Sequence, residues 1–262
     1  APPVLGAGRG NAFMTPELEW LATRPVTDTL RYRATSYPQF SHGPAQENLQ
    51  LRDLVELPPG FNPRTLALAQ ELHRSPAVVR GGAPAMVEAA LAQLRSGGYS
   101  YTLEPGVYGT HSADEFWFDR KAGFCEHIAS AFVVLMRAGD VPARIVTGYQ
   151  GGERNPVDGD WTVRQSDAHA WAEVWLQGRG WVRVDPTGAV APGRTGQLQR
   201  LRAPRGLLSE AMGNAIGIDL SERLRSFWEA TNNRWNQWVL NYTQASQFNL
   251  LRALGVEAPS GL

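Results

Sequence analysis

An α+β fold is predicted for this chain of 262 residues, and three observations predict it. Helical periodicity fills the middle of the sequence, from Asn62 to Gly139, and strand-like alternation fills the stretch from Arg144 to Asp185. Helices grouped before strands do not make the interleaved order of a parallel βαβ sheet. The third observation is Gly123-Phe124-Cys125-Glu126-His127, which sets the only cysteine at the head of an apolar run that Gly139 closes. An apolar character on every side predicts a central, buried helix.

Taken in order, residues 1–25 open with Ala1-Pro2-Pro3 and the glycines Gly6, Gly8 and Gly10, which predict irregular structure. From Thr29 to Ser36, Leu30, Tyr32 and Ala34 alternate with Arg31, Arg33 and Thr35, the pattern of a short half-buried strand. Leu51 to Leu57 stops at the turn Pro58-Pro59-Gly60. A helix then starts with Asn62 as its cap and Pro63 in its first position, with Leu66, Ala69, Leu72 and His73 at helical spacing. A second helix starts near Pro84, carries Met86, Val87, Ala90, Leu91 and Leu94 on one face, and ends at Gly97-Gly98. Tyr99 to Leu103 reads as a short strand-like link. The helix after Cys125 carries Ile128, Phe132, Leu135 and Met136, with Val133 and Val134 on its other sides. Four strands are expected at Arg144–Tyr149, Trp161–Gln165, His169–Leu176 and Trp181–Asp185.

From Gly193 to Pro204 the chain is rich in Gly, Pro and Arg and is expected to run extended over a surface. Asp219 to Leu254 reads as one long helix, with Asp219 and Glu222 spaced as in a capping box and Gly255 at its end. Its stripe of Leu224, Trp228, Trp235, Trp238, Val239 and Tyr242 suits packing on the core, or a juxtamembrane element or groove wall. Three regions result: an N-terminal extension with short strands over 1–57, a core over 58–192, and a linker with a C-terminal helix over 193–262.

Composition narrows the function. The 25 basic and 25 acidic residues cancel and form no basic stripe, so nucleic acid is not an expected partner. A single cysteine excludes an internal disulfide. No apolar run reaches the length of a membrane span, and no signal peptide precedes Ala1, so the chain reads as a soluble piece of a longer protein. No loop has the spacing of calcium ligands, Asp158-Gly159-Asp160 reading as a turn, and no metal or cofactor is expected.

A nucleophilic thiol needs a lowered pKa, a base within reach and a group that orients the base. A helix N-terminus supplies the first, because its dipole favours the thiolate. His127 is a poor base for Cys125: two residues along a helix it points about 200° away. His42, His73 and His111 sit in loop or helix contexts, whereas His169 begins one strand and Asp185 ends the next. The hairpin register decides whether those two meet. A three-residue loop, Gln177-Gly178-Arg179, pairs Trp175 with Trp181, Glu173 with Arg183 and Trp171 with Asp185. One of these pairs is aromatic and one joins opposite charges, each worth roughly 0.2–1 kcal/mol, and loops of two or four residues offer nothing comparable. In that register Asp185 lies diagonally across from His169. The opposite face, Ala170, Ala172, Val174 and Leu176 against Val182 and Val184, faces the core.

Four stretches in this order resemble the bacterial transglutaminase-like core: Gly123-Phe124-Cys125-Glu126-His127; Val141-Pro142-Ala143-Arg144 with Thr147-Gly148-Tyr149; Asp167-Ala168-His169-Ala170-Trp171-Ala172-Glu173-Val174; and Gly180-Trp181-Val182-Arg183-Val184-Asp185-Pro186-Thr187. The resemblance covers roughly residues 58–190. The flanks, with Leu57-Pro58-Pro59-Gly60 and the long C-terminal helix, look like those of TgpA-type membrane proteins of Gram-negative bacteria, whose core is a periplasmic domain between transmembrane segments. The resemblance implies a papain-like fold and a triad of Cys125, His169 and Asp185. Cys125 would attack a glutamine carboxamide, His169 would move the proton, Asp185 would hold the imidazole, and a lysine or other amine would accept the acyl group. The partners implied are a glutamine donor and an amine acceptor, for a monomeric chain tied to the inner membrane by segments outside it. The backbone N–H of Cys125 is one donor to the tetrahedral intermediate, and a side chain near Tyr99 to Tyr101 is the expected second. Tyr101, Trp117 and Trp171 are candidates for the substrate cleft. The same triad would serve a cysteine peptidase or amidase, and a scaffolding domain without catalysis is a third reading.

Overall fold

The structure, a computed structural model, describes residues 4–5, 12–27, 30 and 32–195. The chain divides into two compact units. The larger holds the described residues of 41–153 and 161–205, and the smaller those of 1–40 and 154–160. In the smaller unit β1 (Val4–Leu5) pairs antiparallel with β4 (Ala34–Thr35), and β2 (Ala12–Met14) pairs with β3 (Trp20–Ala22). The strand expected over Thr29–Ser36 shrinks to Ala34–Thr35, and it is exposed rather than half-buried. Its two-residue pairing leaves Leu30 and Tyr32 in solvent.

The larger unit opens with α1 (Leu49–Arg52), capped by the Asn48 side chain, which accepts from the Leu51 N–H. Next come α2 (Pro63–Arg74) and α3 (Pro76–Ser96). The latter breaks at Gly82 and resumes near Pro84, where the sequence starts its second helix. After β5 (Ser100–Tyr101) and the short α4 (Ser112–Asp114), residues Glu115–Arg120 form a π-helical turn.

The cap of α2 differs from expectation. Asn62 takes a left-handed conformation, φ 52°, so its side chain leaves its own helix and accepts from the N–H groups of Ala113 and Asp114. Asp114 in turn caps α2. It accepts from the Arg64 N–H at 3.0 Å, the Thr65 N–H at 2.7 Å and the Thr65 hydroxyl at 2.6 Å. Each helix start is therefore capped from about fifty residues away.

Following β6 (Ala122–Gly123), α5 (Cys125–Ala138) is the centre of the core, with Ile128, Phe132, Leu135 and Met136 fully buried. It packs on a sheet made by β7 (Ala143–Tyr149) and, after the short strands β8 (Glu153–Arg154) and β9 (Trp161–Thr162), by β10 (Ala168–Leu176) and β11 (Gly180–Val184). The sheet is antiparallel, in the order β11-β10-β7. The hairpin pairs Leu176 with Gly180, Trp175 with Trp181 and Glu173 with Arg183, the register read from the sequence.

One detail of that register is different. Glu173 does not form its ion pair with Arg183. Arg144, its partner on β7, binds it instead, with Nε and Nη2 at 2.9 and 2.7 Å from Oε2. Arg144 therefore braces an edge strand, since β10 and not β7 is central.

The outer edge of β11 is covered by residues 42–45. The Trp181 N–H donates to the His42 carbonyl, the Gly178 N–H to Ala45 and the Trp175 indole to Pro44. Gly180 permits this approach. Its φ is +73°, and a Cβ there would collide with the His42 carbonyl. Two short helices follow, α6 (Thr187–Val190) and α7 (Pro192–Thr195). The extended run expected from Gly193 therefore begins as a helical turn. The rest of that run and the helix expected at 219–254 lie outside the described residues. No helix among the described residues is long and apolar enough to cross a membrane.

Candidate active site

Cys125 is the first residue of α5, and Phe124 before it is extended. The approach is set by β5 and β6, which pair in parallel and place Tyr101 beside Gly123. Gly123 has no room for a side chain, because a Cβ would lie 2.7 Å from Cβ of His127. The His127 ring is engaged by Phe124, with centroids 4.4 Å apart, and by Tyr108 at 4.6 Å. Tyr108 is itself fixed by its hydroxyl, which donates to the Ala122 carbonyl, and Arg120 ties the same segment down through the carbonyls of Pro105 and Val107.

His169 is the second residue of β10, and Asp185 comes directly after the last residue of β11. They meet across the hairpin, with His169 Nε2 at 2.8 Å from Asp185 Oδ2. This leaves Nδ1 as the imidazole nitrogen that can face the thiol, whose pKa His169 helps to lower. The second carboxylate oxygen, Oδ1, accepts from the Thr187 N–H at 3.2 Å. Trp171 lies beside the imidazole, nearly parallel to it at 6.2 Å between centroids, and the Arg183 guanidinium sits 4.3 Å from the centre of the Trp171 ring.

Burial pushes the Cys125 thiol up. The hydrogen bond from His169, the Ala170 N–H, the His169 charge and the Glu126 N–H outweigh it and bring the thiol below its ordinary value. The Ala170 N–H is available because β11 ends at Val184, so no strand residue pairs with Ala170 on that side. Burial pushes His169 down, but hydrogen bonds to Asp185 and Cys125 and their negative charges raise it to about 9. Burial raises Asp185, and the His169 hydrogen bond and charge, helped by Arg183, hold it below the usual carboxylate range. The three directions agree on a thiolate beside an imidazolium that a carboxylate backs. Such a pair can attack a carbonyl carbon and deliver a proton to the departing group.

Of the other residues named from the sequence, Tyr101 stands beside the approach to Cys125 and Trp171 stands beside His169. Trp117 does not line a cleft. It is 1% exposed, and its indole donates to the Ala131 carbonyl at 3.1 Å, inside the core that α5 nucleates. Tyr99 is also committed to the core, donating its hydroxyl to the Trp117 carbonyl and stacking on Phe116. Sequence reasoning missed Arg183 at Asp185 and the Ala170 N–H at the thiol. The alternation of Ala170 against a strand that stops at Asp185-Pro186 was the available signal for the second.

Fold and site together define a class: α+β proteins that set a helix-borne thiol against a histidine and a carboxylate from a strand hairpin. Residues 75–186 match the Transglutaminase-like superfamily, and the chain belongs to that superfamily. It is similar to a protein-glutamine gamma-glutamyltransferase of Pseudomonas aeruginosa, with 38% identity over 230 residues, or 86% of this chain and 34% of that protein. The chain thus spans about a third of the length of this curated relative. It also resembles the crystal structure of the periplasmic domain of TgpA from the same organism, at a TM-score of 0.68 and 37% identity, covering 74% of this chain and 66% of that one. The same domain bound to ethylmercury matches at 0.66 and 37%, covering 74% and 68%.

Proposed function

We propose that this chain is the catalytic part of a protein-glutamine gamma-glutamyltransferase, with the papain-like transglutaminase core and with Cys125, His169 and Asp185 as its triad. The observation that carries the reading is the 2.8 Å bond between His169 and Asp185 behind a thiol held below its ordinary pKa. The Cys125 thiolate attacks the carboxamide carbon of a glutamine side chain. The C–N bond breaks, ammonia leaves with the proton from His169, and a thioester remains. A primary amine, in proteins the lysine ε-amine, then attacks the thioester carbon. Its proton passes to His169, the C–S bond breaks, and the isopeptide forms as the thiolate–imidazolium pair returns. The Cys125 N–H and the Tyr101 side chain are the donors we assign to the oxyanion, Tyr99 being held in the core. We assign the chain to the periplasm as a monomeric domain, joined to the inner membrane by segments outside it. Similarity to a periplasmic domain supports that placement.

The test is incorporation of a labelled primary amine into a glutamine peptide, with ammonia measured alongside. The native chain should label the peptide, and Cys125→Ala should lower the rate by 10³-fold or more, on the order of the loss of a covalent nucleophile. Unchanged labelling in that variant would remove the thiol from the mechanism. Ammonia released at full rate without added amine would favour a hydrolase on the same triad. Absence of both products would favour a scaffold. Because mercurials prefer thiolates and Cys125 is the only cysteine, one equivalent of ethylmercury should silence the native chain.

A further inference from the structure

We propose that Arg183 is a positioning residue for this chemistry: laid over Trp171, it shares one oxygen of Asp185 with His169 and loosens the carboxylate's hold on the imidazolium proton. The inference rests on the triad reading given above. Both donors reach Oδ2, His169 Nε2 at 2.8 Å and Arg183 Nη2 at 3.4 Å, while Oδ1 is occupied by the Thr187 N–H. A guanidinium on that oxygen draws negative charge away from the bond to His169. The Trp171 ring, 4.3 Å from the guanidinium carbon, holds the cation in place.

Arg183 is free for this task because its cross-strand carboxylate is taken. Glu173 faces Arg183 across the hairpin, yet Arg144 occupies it through two donors. The charged and titratable groups that act on Asp185 are His169 from β10 and Arg183 from its own strand, and those that act on His169 are Asp185 and, from α5, Cys125. Among them Arg183 alone is a cation in contact with the carboxylate oxygen that binds His169. The chemical use is direct. The imidazolium must surrender its proton to the amide nitrogen that departs as ammonia in each cycle, and a proton held too tightly slows that step.

The Arg183 side chain is 50% exposed, so solvent and salt screen it. Its removal should therefore raise the His169 midpoint by only about 0.2–0.7 of a pH unit. The experiment tracks the His169 ring by NMR across pH in the whole chain, and kcat/KM for amine incorporation over the same range. In Arg183→Gln the midpoint and the basic limb of kcat/KM should rise together, with a smaller rise at high salt. Arg183→Lys keeps the charge and should stay nearer the native midpoint. Arg144→Gln releases Glu173 to draw Arg183 off Asp185, and should shift His169 in the same direction with Arg183 intact. A midpoint that stays or falls in both Arg183→Gln and Arg144→Gln overturns the proposal. Asp185→Asn separates this from failure of the triad: it should lower the midpoint, and if it does not, the triad reading itself is wrong.

Discussion

Asp185 raises His169, and the sign of that effect fixes a pH prediction. On the proposed mechanism the reactive form carries a proton on His169 and none on Cys125. It is lost at high pH as His169 gives up its proton near 9, and at low pH as the thiolate is protonated, below the ordinary thiol range. Asp185→Asn removes the charge that raises His169, so the basic limb of kcat/KM should move to lower pH. The rate should also fall by about 10²-fold at the optimum, as general acid–base catalysis weakens. A basic limb that stayed put in pH-rate profiles would detach Asp185 from His169. At this scale the sequence was informative where the interaction was local to one hairpin. Trp175 opposite Trp181 was enough to place His169 and Asp185 on one face. It was silent where a third strand competes: the hairpin alone suggests Glu173 for Arg183, and only β7 brings Arg144 to claim it. Trp117 was misplaced for a related reason. Nothing around it in sequence says that its indole will meet the Ala131 carbonyl of α5.

At the scale of the element, α5 was legible because its apolar residues surround the axis, and a helix of that kind is buried in any fold that contains it. The start of α2 was only half legible. Asn62-Pro63 marks the boundary, but the cap comes from Asp114, and no local pattern links positions fifty residues apart. Asp114 is 4% exposed and meets three donors. Asp114→Ala should therefore cost about 2–3 kcal/mol, combining a lost cap with buried donors left unmet. The midpoint of urea unfolding should drop accordingly. The rate of amine incorporation per folded molecule should hold, because the hydrogen bonds of Asp114 go to Arg64 and Thr65 and not to Cys125, His169 or Asp185. A loss of activity without a loss of stability would contradict this division.

For the whole molecule, the α+β order and the antiparallel sheet were legible in the periodicity, while the covering of β11 by residues 42–45 was not. That strap runs without side-chain periodicity and is held by the carbonyls of His42, Pro44 and Ala45. Both it and the exchange of caps between Asn62 and Asp114 lie partly outside residues 75–186, the stretch that matches the superfamily. A polypeptide trimmed to that stretch would lose α2, strand its buried Asp114 carboxylate and open the β11 edge. It should unfold without a cooperative urea transition and bind a hydrophobic dye, whereas a polypeptide running from residue 41 to 195 should unfold in one step. Cooperative unfolding of the trimmed chain would show that the strap and the caps are dispensable. The pattern that marks the superfamily occupies a shorter piece of this chain than autonomy does: residues 75–186 hold the thiol, its helix and its hairpin, and what lets that piece stand alone is supplied by neighbours beyond that stretch.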